Sequence, residues 1–311
     1  MTAGDAPGAP AGACLEAEVT PPWPFRLPRG GGGDAVMRVR RGIVTRLLHV
    51  GGEPVVVRVW QRRDGPIALH ATALEGGDRR HLEVAIERMR FALGVDDDYR
   101  ELYDTFRSDR LVGTAIRRRR WHRPRRRPWA WEALAWSITK QLIESSRAAA
   151  IQRRMVLRWG VRRDGVDGAT LRDVPTPELI AERAPAELAA FDLAPARALA
   201  MIRAAREVST ARVDPGDPAD DDRLLAIREI GPWTIQCLGL YGRGEPDSLP
   251  AGDLAYVKLV GRLAGLRRRA SVEEVEEFFA PYAPYRGLAG EFVLADHHRA
   301  VAGAPPLRRA A

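Results

Sequence analysis

Between residues 36 and 74 the apolar positions fall in short runs. Val36-Met37-Arg38-Val39, Ile43-Val44-Thr45-Arg46-Leu47-Leu48, Val55-Val56-Val57-Arg58-Val59-Trp60 and Ile67-Ala68-Leu69-His70 are separated by turn residues, most clearly Gly51-Gly52-Glu53-Pro54 and Arg63-Asp64-Gly65-Pro66. Runs of this kind predict an antiparallel meander. From Arg79 the period lengthens. Leu82, Ile86, Met89 and Leu93 recur every three to four residues as in an amphipathic helix, and Gly94 stops it before Asp96-Asp97-Asp98 opens another. Trp131, Leu134, Ala135, Ile138 and Leu142 form a second helical stripe that continues through Ile151 and Met155. Further helices are expected at Thr176-Pro177, over 196–208 with Leu199 and Ile202 inward, and at Ser271-Val272-Glu273-Glu274, which has capping-box spacing. No alternating strand is expected beyond about residue 75.

The pattern predicts an α+β fold, with a small antiparallel β-sheet domain over 35–110 ahead of a mostly α-helical domain over 111–303 and a tail at 304–311. Residues 1–34 hold six prolines and seven glycines. Such a segment buries too little apolar surface to offset its chain entropy, at least up to Val19, and is expected to be disordered or extended.

Composition narrows the class. Two cysteines, Cys14 and Cys237, are too few for a disulfide framework, a Cys₄ zinc site or an iron–sulfur cluster. No apolar run is long enough for a membrane span, and the N-terminus lacks the apolar core of a secretory signal, so a cytoplasmic protein without a membrane partner is expected. The formal net charge is +8. Lysine occurs only at Lys140 and Lys258, and the tract Arg117–Arg127 carries eight arginines and no acid, which equals the whole excess. A concentrated excess suits a polyanion, with Arg117, Arg118, Arg119, Arg120, Arg125, Arg126 and Arg127 as candidate contacts. A solvated linker would look the same by charge alone.

The stretch most suggestive of chemistry is Leu224-Leu225-Ala226-Ile227-Arg228-Glu229-Ile230-Gly231-Pro232-Trp233-Thr234. It reads as a helix end, a tight hairpin near Gly231 and a second helix with Pro232 in its first position. Unsatisfied N–H groups at such a helix start form a phosphate site without side-chain charge. Twenty-two residues after Gly231, following Leu249-Pro250-Ala251-Gly252, Asp253 heads a helix with Leu254, Val257 and Val260. An aspartate there is either an N-cap, a buried carboxylate for chemistry, or both.

Together these segments resemble the helix–hairpin–helix and Gly/Pro-rich loop with aspartate of one DNA glycosylase superfamily. Gly231-Pro232-Trp233-Thr234 and Pro250-Ala251-Gly252-Asp253 are most similar to its DNA-3-methyladenine glycosylase II branch. Gln141-Leu142, Val174-Pro175-Thr176-Pro177, Leu193-Ala194-Pro195-Ala196-Arg197-Ala198 and Tyr282-Ala283-Pro284-Tyr285-Arg286 extend the resemblance in order over 128–295. It implies a monofunctional enzyme that removes alkylated purines from double-stranded DNA and so initiates base-excision repair. Asp253 would be the catalytic carboxylate and Trp233, Tyr282, Tyr285 and Cys237 would line the base pocket. Gln141, Leu142, Glu229, Gly231 and Thr234 would meet DNA, with Leu142 as the wedge that fills the vacated stack. Leu142 is equally a core leucine on the stripe with Ile138. The resemblance further implies a sodium or potassium ion on the carbonyls of Leu225, Ile227 and Ile230, no organic cofactor and no iron–sulfur cluster. The enzyme is expected to be monomeric and nucleoid-associated. An aromatic pocket would favour cationic 3-methyladenine and 7-methylguanine over neutral hypoxanthine.

Several positions depart from the branch. Trp233 stands where members that also cleave the backbone carry a Schiff-base lysine. Glu229 replaces the usual hairpin glycine, Arg228 a common proline, and Cys237 a residue that is aromatic in some members. Two alternatives therefore stay open: a non-catalytic helix–hairpin–helix DNA-binding protein, and a glycosylase for deaminated or oxidised bases. The adjacent pair His297-His298 lacks metal-site context and reads as surface, and no nucleotide-cradling glycine loop follows a strand.

Overall fold

The computed structural model describes residues 13–62, 65–141, 143–164 and 168–302. Leu142, Arg63 and Asp64 of the expected turn, and the 304–311 tail lie outside the described residues. Two compact units emerge, each discontinuous in sequence: Met1–Thr20, Leu27–Val95 and Ile143–Arg212 form one, and Pro21–Arg26, Asp96–Leu142 and Val213–Ala311 the other. The chain thus divides differently from the linear 35–110 and 111–303 reading, because helices far along the sequence complete the unit that holds the sheet.

In the first unit the meander closes as an antiparallel sheet. Strands β1 (Cys14–Val19), β2 (Met37–Arg40), β3 (Ile43–Val50), β4 (Glu53–Gln61) and β5 (Ile67–Ala73) run in the order β1-β5-β4-β3-β2. Residues 1–12 lie outside the described residues, and for Cys14–Val19 the strand corrects the expectation of a disordered segment: Leu15 pairs with Ala71 and Ala17 with Leu69, so an existing edge supplies the order that composition withholds. Helix α1 (Arg79–Leu93) packs on the sheet through Leu82, Ala85, Ile86 and Met89. Asp78 caps its start and Gly94, at φ 67°, closes its end in the left-handed conformation that glycine tolerates.

The same unit gains α5 (Ser145–Trp159), a short hairpin of β6 (Arg162–Asp164) and β7 (Thr170–Arg172), α6 (Pro177–Ala181), α7 (Pro185–Ala189) and α8 (Pro195–Ser209). The β6–β7 hairpin overturns the expectation of no strand after residue 75. Its three-residue strands are too short to show a period, and Leu171 packs with Leu47 and Val56 of the main sheet. Next to it, buried Asp173 accepts from His49 N–H at 3.0 Å and faces buried Arg46 at 3.9 Å. In α8 Ile202 is buried as expected, whereas Leu199 is 41% exposed, because the inward stripe runs through Ala198, Met201, Ile202 and Ala205.

The second unit is helical among its described residues: α2 (Arg100–Phe106), α3 (Val112–Arg118), α4 (Ala130–Lys140), α9 (Asp221–Leu225), α10 (Pro232–Leu238), α11 (Leu254–Leu263), α12 (Val272–Phe279) and α13 (Arg286–Ala302). Tyr256, Phe279 and Phe292 centre its core, joined by Trp23 from the N-terminal segment. Trp23 Nε1–H donates to the Arg120 carbonyl at 2.6 Å, so that segment is also ordered by packing. Ser271 and Glu274 form the expected capping box of α12. Among the described residues no helix is long and apolar enough to cross a membrane.

Candidate active site

The hairpin forms where the sequence places it. α9 ends at Leu225, a turn carries Ile230 N–H onto the Ile227 carbonyl at 2.9 Å, and α10 begins at Pro232 with Gly231 as its extended N-cap. The tight point is Glu229 rather than Gly231: Glu229 holds φ 77°, a left-handed conformation that costs a side-chain-bearing residue energy. Its carboxylate lies 3.8 Å from exposed Arg228, an ion pair of small worth in water.

Gln141 follows the last turn of α4, and its side-chain N–H group donates to the Glu229 carbonyl at 2.6 Å and to Thr234 Oγ1 at 3.0 Å. Thr234 is buried. Both residues, expected to meet DNA, therefore spend these side-chain groups on fixing the turn. They set the hairpin's shape.

Asp253 heads α11. Its Oδ1 accepts from Ala255 N–H at 2.8 Å, so it is an N-cap. The other carboxylate oxygen makes no hydrogen bond among the described residues. Trp233 of α10 packs against Asp253's own loop, its Cδ1 in van der Waals range of any side-chain carbon built at Gly252. Trp233 Nε1 and the Tyr256 hydroxyl are buried without a hydrogen-bond partner among the described residues.

Behind this loop lies a polar cluster that the sequence did not reveal. Tyr241, in the π-helical turn Gly239–Arg243, donates to Glu291 Oε1 at 2.7 Å, and His122 Nε2 lies 3.3 Å from the other oxygen. Burial pushes the Glu291 pKa upward, but His122, Tyr241 and Lys140 more than offset it and hold the carboxyl below its ordinary range. Lys140 Nζ stands 5.8 Å from the Tyr241 ring centroid, and Asp253 and Glu291 are within electrostatic reach. Burial, aided by Arg127, lowers the Lys140 ammonium from its usual range. Cys237 is buried beside Lys140 and Asp253, and burial raises its thiol far above the ordinary value, which makes it a neutral wall rather than a nucleophile. A lysine next to Gln141 was the available signal, but only packing shows what it neighbours.

The other expected pocket aromatics have partners of their own. Tyr282 is buried between Phe106 and Phe279, and its hydroxyl faces Asp109 at 3.4 Å; burial and that carboxylate push its pKa up to about 12. Tyr285 bonds Glu101, which raises its pKa. Both belong to the core of the second unit or pack against it.

The arginine tract is neither a linker nor a uniform phosphate grip. Arg126 forms an ion pair with Asp97, Arg123 lies 3.7 Å from the same carboxylate, Arg127 donates to fully buried Glu132 at 3.1 Å, and Arg119 reaches Asp296 at 3.3 Å. Arg117, Arg118, Arg120 and Arg125 are exposed. A run of like charge persists in a fold when acids neutralise it, here partly buried Asp97 and Asp296 from other segments and buried Glu132 at the start of α4.

No family profile matches the chain. Curated relatives do. A probable bifunctional transcriptional activator/DNA repair enzyme AlkA of Mycobacterium tuberculosis is 25% identical over 236 residues, 75% of this chain and 47% of the relative. A DNA-3-methyladenine glycosylase of Bacillus subtilis is 24% identical over 203 residues, covering 63% of this chain and 66% of the relative. The chain thus spans about half the length of the first and about two thirds of the second. Among solved structures, a 3-methyladenine DNA-glycosylase from Archaeoglobus fulgidus superposes with TM-score 0.77 at 20% identity, covering 93% of this chain and 100% of that one. Hairpin, sequence relatives and fold converge on one group: the chain is similar in sequence to DNA-3-methyladenine glycosylases and shares the fold of a solved one.

Proposed function

We propose that this protein hydrolyses the N-glycosidic bond of alkylated purines in double-stranded DNA, 3-methyladenine and 7-methylguanine among them, and so opens base-excision repair. The observation that carries the reading is Asp253, a carboxylate capping α11 with an oxygen to spare, on the loop against which Trp233 of the hairpin packs. The names of the curated relatives support the same reaction.

The glycosidic bond is inaccessible inside a duplex, so the nucleotide must leave the stack. Leu142 is our candidate for the side chain that replaces it. As the bond breaks, positive charge builds on the sugar; Asp253 stabilises it and orients the water that adds to C1′. A purine alkylated at N3 or N7 carries positive charge before cleavage and departs neutral, so one carboxylate is sufficient. Among the described hairpin residues no amine is present for a Schiff base, and Trp233 takes the place where a lysine would stand, which favours simple hydrolysis. Hydrolysis requires no organic cofactor. The carbonyls of Leu225, Ile227 and Ile230 are the donors that would hold a sodium or potassium ion, as a support for the turn and not a participant. The enzyme is proposed to act as a monomer.

The test is a panel of duplex oligonucleotides, each with one damaged base. Methylated purines should be lost, strand breaks should appear only after alkali, and borohydride should trap no covalent adduct. DNA binding without release of any base would return the protein to the non-catalytic reading.

A further inference from the structure

Forty-seven of the forty-nine basic residues are arginine, yet the cation at the end of α4 is a lysine. A guanidinium does not give up its proton near neutral pH, whereas an ammonium does. Lys140 is half-buried, and Arg127 from the preceding loop, Tyr241 from the π-helical turn, Cys237 from α10, Asp253 at the head of α11 and Glu291 from α13 surround it. Neither carboxylate pairs with it directly, and its ammonium makes no hydrogen bond among the described residues. Two more donors are buried without partners among the described residues: Trp233 Nε1–H, whose ring packs at Gly252 beside Asp253, and Tyr256 O–H, within electrostatic reach of Asp253 and Glu291. Donors without partners close to Asp253 suit a ligand rich in acceptors, as the N3, N7 and O6 edges of a purine are.

We propose that Lys140 donates a proton to the departing base when that base is a neutral purine such as hypoxanthine. The inference rests on the glycosylase reading above and deepens it. A cationic alkylpurine leaves neutral without help. A neutral purine must take the electron pair of the C1′–N9 bond and would leave as an anion, so its departure needs a proton. Lys140 supplies that proton to the base as the bond breaks. Water adds to C1′ and loses a proton on the Asp253 side, and that proton restores the ammonium. The net change is addition of water across the C1′–N9 bond. Burial and Arg127, which weaken the hold of Lys140 on its proton, make it a better acid for this step.

The experiment compares single-turnover release of hypoxanthine and 7-methylguanine from matched duplexes by the full chain and by Lys140→Met. The ratio of the hypoxanthine rate to the 7-methylguanine rate should fall on the order of 10²-fold in the variant. In the unaltered protein the same ratio should fall as pH rises through the lysine titration, and in Lys140→Met it should be flat. Lys140→Gln, which keeps a polar side chain, gives the same result if the methionine variant fails to fold. An unchanged ratio in a folded variant overturns the proposal. Release of 7-methylguanine but no hypoxanthine by the unaltered protein overturns it as well, while leaving the glycosylase reading intact. Release of neither base removes both.

Discussion

Replacing Asp253 by asparagine separates two tasks held by one side chain. Asparagine caps helices as well as aspartate does, so the Ala255 N–H keeps its acceptor and α11 keeps its start. The negative charge is lost. Excision of 7-methylguanine should fall on the order of 10²–10³-fold in single-turnover assays while DNA affinity is retained. Full activity in Asp253→Asn would leave the residue a cap and nothing more. Glu229 poses the reverse case, a residue whose removal should help. At φ 77° a glycine is at ease, and Gln141 holds the backbone carbonyl, which the substitution preserves. Glu229→Gly should raise stability by about 1 kcal/mol in a thermal melt. It should also tighten DNA binding, because a carboxylate leaves the neighbourhood of the expected phosphate. Weaker binding would show that the side chain itself takes part in recognition.

At the scale of elements, the arginine tract joins the end of α3 to the start of α4 and splits into two groups with separable effects. Arg117, Arg118, Arg120 and Arg125 are exposed, with Arg118 in a solvent-screened pair with Asp296 at 3.2 Å, whereas Arg119, Arg123, Arg126 and Arg127 serve Asp296, Asp97 and Glu132 from less exposed positions. Replacing the exposed four with neutral residues should flatten log K against log salt by about 0.9 for each phosphate they would otherwise engage, and leave the melting temperature in place. Arg126→Met should do the opposite, lowering stability by roughly 1–3 kcal/mol with no change in salt slope, because partly buried Asp97 loses a charged partner. If the exposed four leave the slope unchanged, the tract is structural throughout. The sequence displayed the charge but not this division, since exposure depends on acids supplied by distant segments.

At the scale of the molecule, each unit is assembled from separated pieces, and this limits what can be cut away. A fragment spanning 13–110 keeps the five-stranded sheet and α1 but lacks Leu171, which packs with Leu47 and Val56, and Asp173, which pairs with His49 and buried Arg46. Taking one partner from a buried ion pair costs on the order of 3–5 kcal/mol, a large share of a small domain's stability. The fragment should therefore be degraded by protease under conditions in which the full chain resists. A protease-resistant fragment with a cooperative melt would show that the sheet and α1 are self-sufficient.

The sequence by itself determined what is set over a few neighbouring residues. The meander, the Gly94 stop, the Ser271–Glu274 capping box, the hairpin with Pro232 at its first helical position and the aspartate after it all follow from local backbone preference and apolar period. Candidate chemistry at Asp253 was legible for the same reason. Tertiary structure decided the rest. It made a strand of Cys14–Val19 by offering it the edge of β5, and it turned half the arginine tract inward. It also engaged Tyr282 with Asp109 and brought Lys140 beside Tyr241, Glu291 and Asp253. These outcomes depend on contacts between residues far apart in the chain, where burial and charge pairing outweigh local preference, and no spacing along the sequence encodes which distant side chain arrives.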